Sequence, residues 1–265
     1  MIYSIYMKEG QKLWTRDELI LAINLYCKLP FGKMHKSNAL IVEFADLIGR
    51  TPSSVALKLG NFASFDPTLK ARGIKGAANA SKLDKEIWDD FYNNWDVELI
   101  QSEELYAEKN KSTIEKINKI DFDNLPKDGI EKQRLINSRV NQSLFRNIVL
   151  ATYNHRCCIT GIENPELLIA SHIIPWSKDK SNRLNPMNGL CLNALHDKAF
   201  DCGLIAIRSE DYSIILSSEL KKKKTVIPAL ESNFIAYEHK QILLPDKFLP
   251  SPKFLDYHFQ HIFKK

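Results

Sequence analysis

The sequence contains no long hydrophobic run and no segment of the secretory type. Its longest apolar stretches, such as residues 167–170 and 173–176, are far shorter than the roughly 20 residues that a helix needs to cross a bilayer. Residues 1–10 carry Lys8 and Glu9 and lack the basic-then-apolar order of a secretory signal. We therefore expect a soluble, cytoplasmic protein that does not insert into a membrane.

Cysteine is scarce, and its spacing argues against two further classes of protein. The cysteines form no C-x-x-C pair, and their number is odd. A disulfide framework and a four-thiolate zinc knuckle are therefore not expected. We interpret these residues as reduced and mostly buried: Cys27, Cys157, Cys158, Cys191 and Cys202.

What is present is an ordinary globular composition, with 44% hydrophobic and 26% charged residues. The net charge is +5, and the basic excess lies mainly after residue 100, where 24 basic residues face 20 acidic ones. A mildly basic chain is compatible with phosphate binding but does not establish it. We see no internal repeat and no low-complexity segment.

Residues 12–99 have the pattern of a helical domain. Thr15 and Glu18 have the spacing of a capping box at the start of a first helix. Apolar periodicity predicts a second helix over 38–48. Thr51 and Pro52, as cap and first helical residue, predict a third. A further helix is expected from Ser81 to Trp95. A helix, a short glycine turn and a helix form the helix-turn-helix pattern.

In that interpretation, the second helix of the pair presents polar side chains that suit phosphates or base edges. The predicted DNA-binding residues, all expected to be exposed, are Ser53, Ser54, Lys58 and Asn61. The alternative is a plain three-helix bundle with solvated polar residues.

The rest of the chain divides into a linker and a second domain. Residues 100–133 are charged and poorly periodic, which is typical of a linker with some helix. We predict a helical DNA-recognition domain at 1–99, a linker at 100–133 and a second domain at 134–265. Within the second domain, the lysine run 221–224 is either a solvated loop or a contact to backbone phosphates.

The most informative residues lie between 157 and 207. A histidine in an apolar run is followed 16 residues later by an asparagine, and a second histidine comes 8 residues after that. The strings around them are Cys157-Cys158-Ile159-Thr160-Gly161, Ala170-Ser171-His172-Ile173-Ile174-Pro175-Trp176, Asn188-Gly189-Leu190 and Leu195-His196-Asp197-Lys198-Ala199-Phe200-Asp201.

This His–Asn–His series resembles the HNH endonucleases, whose compact ββα-metal (His-Me finger) site cuts phosphodiester bonds. The resemblance implies an α+β protein with a helical N-terminal part and a C-terminal nuclease domain. It further implies that His172 is the general base, that Asn188 braces the loop that orients this base, and that His196 completes the catalytic set.

The resemblance also implies a divalent metal ion, with Mg²⁺ first and Mn²⁺, Ni²⁺ or Zn²⁺ as alternatives. We place Leu195, Ala199 and Cys202 of the expected helix 194–201 on its core side. This leaves His196 as the first candidate ligand, Asp197 as the second and Asp201 as the third.

The resulting hypothesis is a metal-dependent endonuclease that acts on double-stranded DNA, of the restriction or phage-defence type, and that forms a homodimer to cut both strands. Two alternatives stay open. Ser171 stands where many family members have an aspartate or histidine ligand, which would fit a DNA-binding regulator with a decayed nuclease site. An enzyme acting on RNA or branched DNA is the other.

Overall fold

The computed structural model describes residues 12–74, 80–121, 129–221 and 227–265. These residues form an α+β structure of helices with two small antiparallel sheets. The N-terminal helices are α1 (Arg16–Lys28), α2 (Ala39–Ile48), α3 (Pro52–Ala63), α4 (Pro67–Ala71), α5 (Lys82–Asn93), α6 (Trp95–Lys109) and α7 (Ile114–Ile117). The later elements are α8 (Ile130–Thr152), β1 (Leu168–His172), β2 (Gly189–Asn193), α9 (Ala194–Asp201), β3 (Ile205–Ile207), β4 (Ile214–Leu216), α10 (Ser218–Lys221), α11 (Pro228–Asn233) and α12 (Pro252–His261).

The N-terminal helices begin where their capping residues are. Thr15 and Glu18 form the expected capping box at α1. Thr51 accepts a hydrogen bond from the amide of Ser54 at the start of α3. The turn between α2 and α3 depends on Gly49, whose φ of 65° lies in the left-handed region that glycine adopts without strain.

Two of the four predicted DNA-contact residues are not exposed, so that expectation was wrong for them. Lys58 and Asn61 are 7% and 4% exposed, and both donate hydrogen bonds to the carboxylate of Asp84 in the first turn of α5. The physical reason is that α5 packs on the face of α3 that the sequence left free. Ser53 is exposed and Ser54 is partly exposed. The helix-turn-helix interpretation stays a prediction.

The expected linker at 100–133 is in large part folded helix. Its first residues belong to α6, which packs against α1. Glu103 is fully buried there and accepts hydrogen bonds from the side chains of Asn24 and Asn118. An isolated carboxylate would be costly to bury, so Glu103 is hydrogen-bonded. The apolar periodicity of the sequence gives no sign that such a charged residue is buried.

The second half of the chain contains the predicted strand–strand–helix unit. β1 and β2 pair antiparallel, with His172 opposite Gly189, and α9 follows β2 directly with Asn193 as its cap. The long helix α8 packs on both strands. At Gly189 a Cβ would lie 2.4 Å from Val149 Cγ2, so only glycine permits this close approach of β2 to α8.

The C-terminal segment returns to the N-terminal helices. In the strap formed by residues 245–250, Lys247 is fully buried and its ammonium donates hydrogen bonds to the carbonyls of Tyr26 and Cys27. The ring of Phe248 meets Trp95 edge-on at 5.2 Å. One hydrophobic core therefore includes residues of both halves. The domain boundaries at 99 and 133 stay a prediction.

Two further expectations concern membrane insertion and the lysine run. None of the described helices is long and apolar enough to cross a membrane. Of the lysine run, Lys221 ends α10 and forms an ion pair with Glu238. Residues 222–224 lie outside the described residues.

Candidate active site

His172 is the last residue of β1, and its ring is fixed by three neighbours. Nε2 lies 2.9 Å from the carbonyl oxygen of Arg183. Because a carbonyl only accepts hydrogen bonds, Nε2 carries the proton and Nδ1 of the neutral ring is left with a free lone pair. The ring stacks on Phe145 of α8 at 3.7 Å and meets Trp176 edge-on at 5.4 Å. No described residue hydrogen-bonds Nδ1.

The protonation state of His172 follows from this enclosure. Burial lowers the pKa of His172 below its ordinary value of 6.5, the carbonyl of Arg183 raises it by less, and the positive charge of Arg183 lowers it again. The imidazole is therefore neutral near pH 7. A neutral imidazole with one free nitrogen is a competent proton acceptor.

Asn188 holds the loop that contains Arg183, whose carbonyl is the hydrogen-bond partner of His172. Its Oδ1 accepts a hydrogen bond from the amide of Ile174 at 2.8 Å, and its Nδ2 donates to the carbonyls of Ile174 and Asn182. These bonds join the two ends of the loop between β1 and β2. The carbonyl of Arg183 is adjacent to Asn182, so Asn188 fixes the acceptor that orients His172.

A pocket of about 280 Å³ opens beside His172. It is lined by Gln142, Phe145, Arg146, Ile169, Ala170, His172 and Trp176. Arg146 donates to the carbonyls of Leu168 and Pro165 and forms no ion pair with a described carboxylate. Its positive charge is therefore not neutralised. Sequence reasoning missed Gln142 and Arg146, which lie three residues before and one residue after Phe145 on α8 and line the same pocket.

His196 occupies a different environment from the one predicted. It is buried, with Nδ1 at 3.0 Å from Oδ1 of Asn193 and Nε2 at 2.7 Å from the carbonyl of Asn233. Leu195, which was expected on the core side, is 49% exposed. The helix is rotated from the predicted orientation because Phe200 faces inward and stacks on His258 at 3.6 Å.

The predicted set is thus brought together only in part. His172 and Asn188 share the β1–β2 loop, whereas His196, Asp197 and Asp201 lie on α9. His172 contacts α8 and this loop, while the ring of His196 contacts Phe234 and Tyr237. Among the described residues the two imidazoles have no ring or hydrogen-bond partner in common, so the expected facing pair is not present.

Residues 157–208 match the family model of the HNH endonucleases. The match includes the β1–β2 hairpin, the loop with Asn188 and helix α9. It identifies this segment as an HNH endonuclease domain and so as a nuclease domain, a type of hydrolase. No curated protein matches the chain.

The residues predicted to bind a metal ion in the HNH domain differ in how well their surroundings suit that role. Nε2 of His196 donates to the carbonyl of Asn233 and its Nδ1 lies against Oδ1 of Asn193, so neither nitrogen is open to an ion, and the described residues contain no group of three His, Cys, Asp or Glu side chains arranged around an ion. Ser171 and Asp197 fit better. Ser171 is 3% exposed, and its hydroxyl lies close enough to the Asp197 carboxylate to lower the pKa of Asp197.

The pKa values of both carboxylates of α9 are raised. Burial raises the pKa of Asp197, and the neighbouring Ser171 hydroxyl lowers it by less. Burial also raises the pKa of Asp201, and the charge of Asp197 raises it further. Carboxylate and hydroxyl oxygens are ligands of the kind that Mg²⁺ and Mn²⁺ prefer.

Proposed function

We propose that this protein is a metal-dependent endonuclease that hydrolyses phosphodiester bonds of double-stranded DNA, in a restriction or phage-defence role. The observation that carries the proposal is the state of His172 within the HNH domain. Its ring is neutral and anchored through Nε2, its Nδ1 has no hydrogen-bond partner among the described residues, and it lies beside a pocket lined by Arg146, which forms no ion pair with a described carboxylate.

In this proposal His172 is the general base. Nδ1 takes a proton from a water molecule, whose oxygen attacks phosphorus as the bond to the leaving oxygen breaks. Arg146 lies at the same pocket and offsets the negative charge of the phosphate. Asn188 is a positioning residue, because it holds the loop whose carbonyl fixes the tautomer of His172.

Asp197 and Asp201, with the Ser171 hydroxyl, would hold the divalent ion, with Mg²⁺ the first candidate. His196 would join them only after releasing the carbonyl of Asn233. Such an ion stabilises negative charge on the phosphate and on the leaving oxygen. The helical N-terminal part would contact the duplex through Ser53 and Ser54, and a homodimer would supply the two sites that cut both strands.

The test is cleavage of supercoiled plasmid by the full chain and by the variant His172→Ala, with Mg²⁺, Mn²⁺, Ni²⁺ or Zn²⁺ and with chelator. We expect nicked or linear product from the wild type only with an ion. His172→Ala should lose at least 100-fold in rate while gel-shift affinity for duplex DNA stays within threefold, since general-base catalysis contributes about 10²–10⁴-fold. His261→Ala, at an exposed histidine of α12, is the matched control.

Equal cutting by His172→Ala and the wild type would remove His172 from the mechanism. A second candidate function is a DNA-binding regulator with a decayed site, which the oxygen atoms covering both nitrogens of His196 and the serine at position 171 favour. Duplex binding with no product under any ion would support that candidate. Parallel reactions with single-stranded RNA and branched DNA test the remaining alternative, an enzyme that acts on those substrates instead of on plain duplex DNA.

A further inference from the structure

A second cleft lies in the helical N-terminal part, away from the HNH domain. Its volume is about 720 Å³, and it shares no described lining residue with the pocket of His172. The turn between α2 and α3 and the first turns of α3 and α5 enclose it. Its lining includes Lys12, Trp14, Arg50, Ser54, Leu57 and Lys58.

The polar side of this cleft is basic. Arg50 pairs with Glu18 at 2.7 Å, and Lys58 pairs with Asp84 at 2.8 Å. Lys12 is 67% exposed and lies 3.5 Å from the same Glu18, which already has a closer partner. Among these five groups the positive charges exceed the negative ones by one, and the least constrained cation stands at the opening.

Two helix starts add to this positive potential. Thr51 and Ser81, the caps of α3 and α5, both line the cleft, so the N-terminal ends of two twelve-residue helices converge on it. The partial positive charge at such ends attracts phosphate groups. Ser54, in the first turn of α3, supplies a hydroxyl at the same place.

The cleft also has an apolar and partly aromatic lining. Leu57 is 60% exposed although it lies on a helix whose neighbours are buried. The indole of Trp14 has the guanidinium of Arg50 at 4.2 Å from its ring centroid. A flat, uncharged ring system is the kind of group that such a surface accepts.

Beneath this surface two buried polar atoms lack a partner among the described residues. They are Nε of Arg50, a donor, and Oδ1 of Asn61, an acceptor. The amide orientation of Asn61 is fixed because its Nδ2 donates to Asp84. Buried groups of this kind are normally satisfied. Both residues line the cleft, so a ligand edge with a donor and an acceptor would lie next to these two groups.

We propose that this cleft binds a nucleotide, with its phosphate at the starts of α3 and α5 near Lys12 and its base against Trp14 and Leu57. The volume lies in the range of small-molecule sites, about 300–1,000 Å³, and is far larger than inorganic phosphate alone requires. The nucleotide is either an unstacked residue of a nucleic acid or a free nucleotide. The inference does not depend on the proposed nuclease activity.

The test is titration of the full chain, by calorimetry, with deoxynucleoside monophosphates, the matching nucleosides and inorganic phosphate. We expect at least one monophosphate to bind at least tenfold more tightly than its nucleoside and than inorganic phosphate. The variant Ser54→Glu should weaken that binding at least tenfold. Its added charge sits in the first turn of α3, where acidic residues favour the helix, so the fold is retained.

The matched control is Ala39→Glu, which adds the same charge in the first turn of α2 at an exposed residue that does not line the cleft. It should bind like the wild type. Absence of saturable binding, equal binding of inorganic phosphate, or equal losses in both variants would overturn the proposal. Thermal melting of both variants verifies that each is folded.

The source of the nucleotide is assigned by a second pair of ligands, a duplex with one unpaired nucleotide and the fully paired duplex. If Ser54→Glu weakens binding of the unpaired duplex selectively, the site takes a nucleotide from DNA. If it weakens only free monophosphates, the site takes a free nucleotide. Because both experiments measure binding, their result stands even if His172→Ala cuts plasmid like the wild type.

Discussion

At the scale of the residue, three histidines of the second half of the chain show how partners decide what an imidazole can do. His196 has an oxygen at each nitrogen, and His258 donates from Nε2 to the carbonyl of Phe200 while its Nδ1 is sealed in the core. His172 has an anchored Nε2 and an Nδ1 that neither faces a described hydrogen-bond partner nor is sealed in the core. That difference, and not the residue type, makes it the candidate base.

The pKa of His172 gives a pH prediction. Because burial lowers this pKa below 6.5, the neutral ring predominates at pH 7 and above; the cleavage rate should be constant at high pH and fall as the pH drops through this lowered pKa. The variant Phe145→Leu removes the stacked ring and admits water, so the pKa rises and the acidic limb moves to higher pH. Single-turnover cleavage rates of the wild type and the variant between pH 5 and 8 measure both effects. If the acidic part of the pH–rate profile does not move in the variant, Phe145 does not set this pKa.

A second residue-scale prediction concerns the ion. Asp197→Asn should weaken Mn²⁺ binding to the DNA-free protein at least tenfold, because Asp197 is the carboxylate beside the Ser171 hydroxyl and would be the charged ligand of the ion. Asp256→Asn, at an exposed position on α12, should bind Mn²⁺ like the wild type. Electron paramagnetic resonance of free Mn²⁺ gives the affinity without any measurement of cleavage. Identical affinities for both variants would place the ion elsewhere.

At the scale of the element, the contact of β2 with α8 is the closest in the site. Gly189→Ala places a methyl group 2.4 Å from Val149 Cγ2 and 3.1 Å from Phe145 Cζ. We expect a loss of about 1–3 kcal/mol in the free energy of unfolding, because overpacking forces the elements apart. The double variant Gly189→Ala with Val149→Ala should recover part of that loss. Urea denaturation measures it, and an unchanged midpoint for the single variant would contradict the predicted clash.

The sequence predicts where helices and strands form better than it predicts which of their faces is buried. The starts of α1 and α3, the hairpin and α9 follow from local capping and alternation, which act within a few residues. The rotation of α9 and the burial of Lys58 do not follow from local sequence. They depend on contacts between distant parts of the chain, those of Phe200 with His258 and of Asp84 with Lys58. The same limit applies to Arg146, whose place beside His172 depends on how α8 crosses the hairpin.

At the scale of the whole molecule, the strap 245–250 joins the two halves. Lys247 donates to the carbonyls of Tyr26 and Cys27, which lie in the last turn of α1 and have no partner within that helix. Burial lowers the pKa of Lys247 to about 8. A lysine from the far end of the chain thus completes a helix terminus of the N-terminal part.

The variant Lys247→Met keeps the apolar stem and removes the donor. We expect about 1–3 kcal/mol of destabilisation for each carbonyl left without a partner. Both halves should still unfold in one transition at a lower temperature, because Phe248 keeps the shared core. Calorimetry measures this, with Lys253→Met at an exposed position as the control. Two separated transitions in the wild type would refute a shared core.

The position of the strap also has a consequence for where a nucleic acid would be cut. The strap holds the N-terminal helices directly against the half of the chain that carries the HNH domain, so the cleft at α3 and the ring of His172 keep a set spacing. If the HNH domain cuts DNA and the cleft captures one of its nucleotides, as proposed above, the backbone would break at a constant number of base pairs from that nucleotide. Mapped ends would then form a single sharp position instead of a ladder.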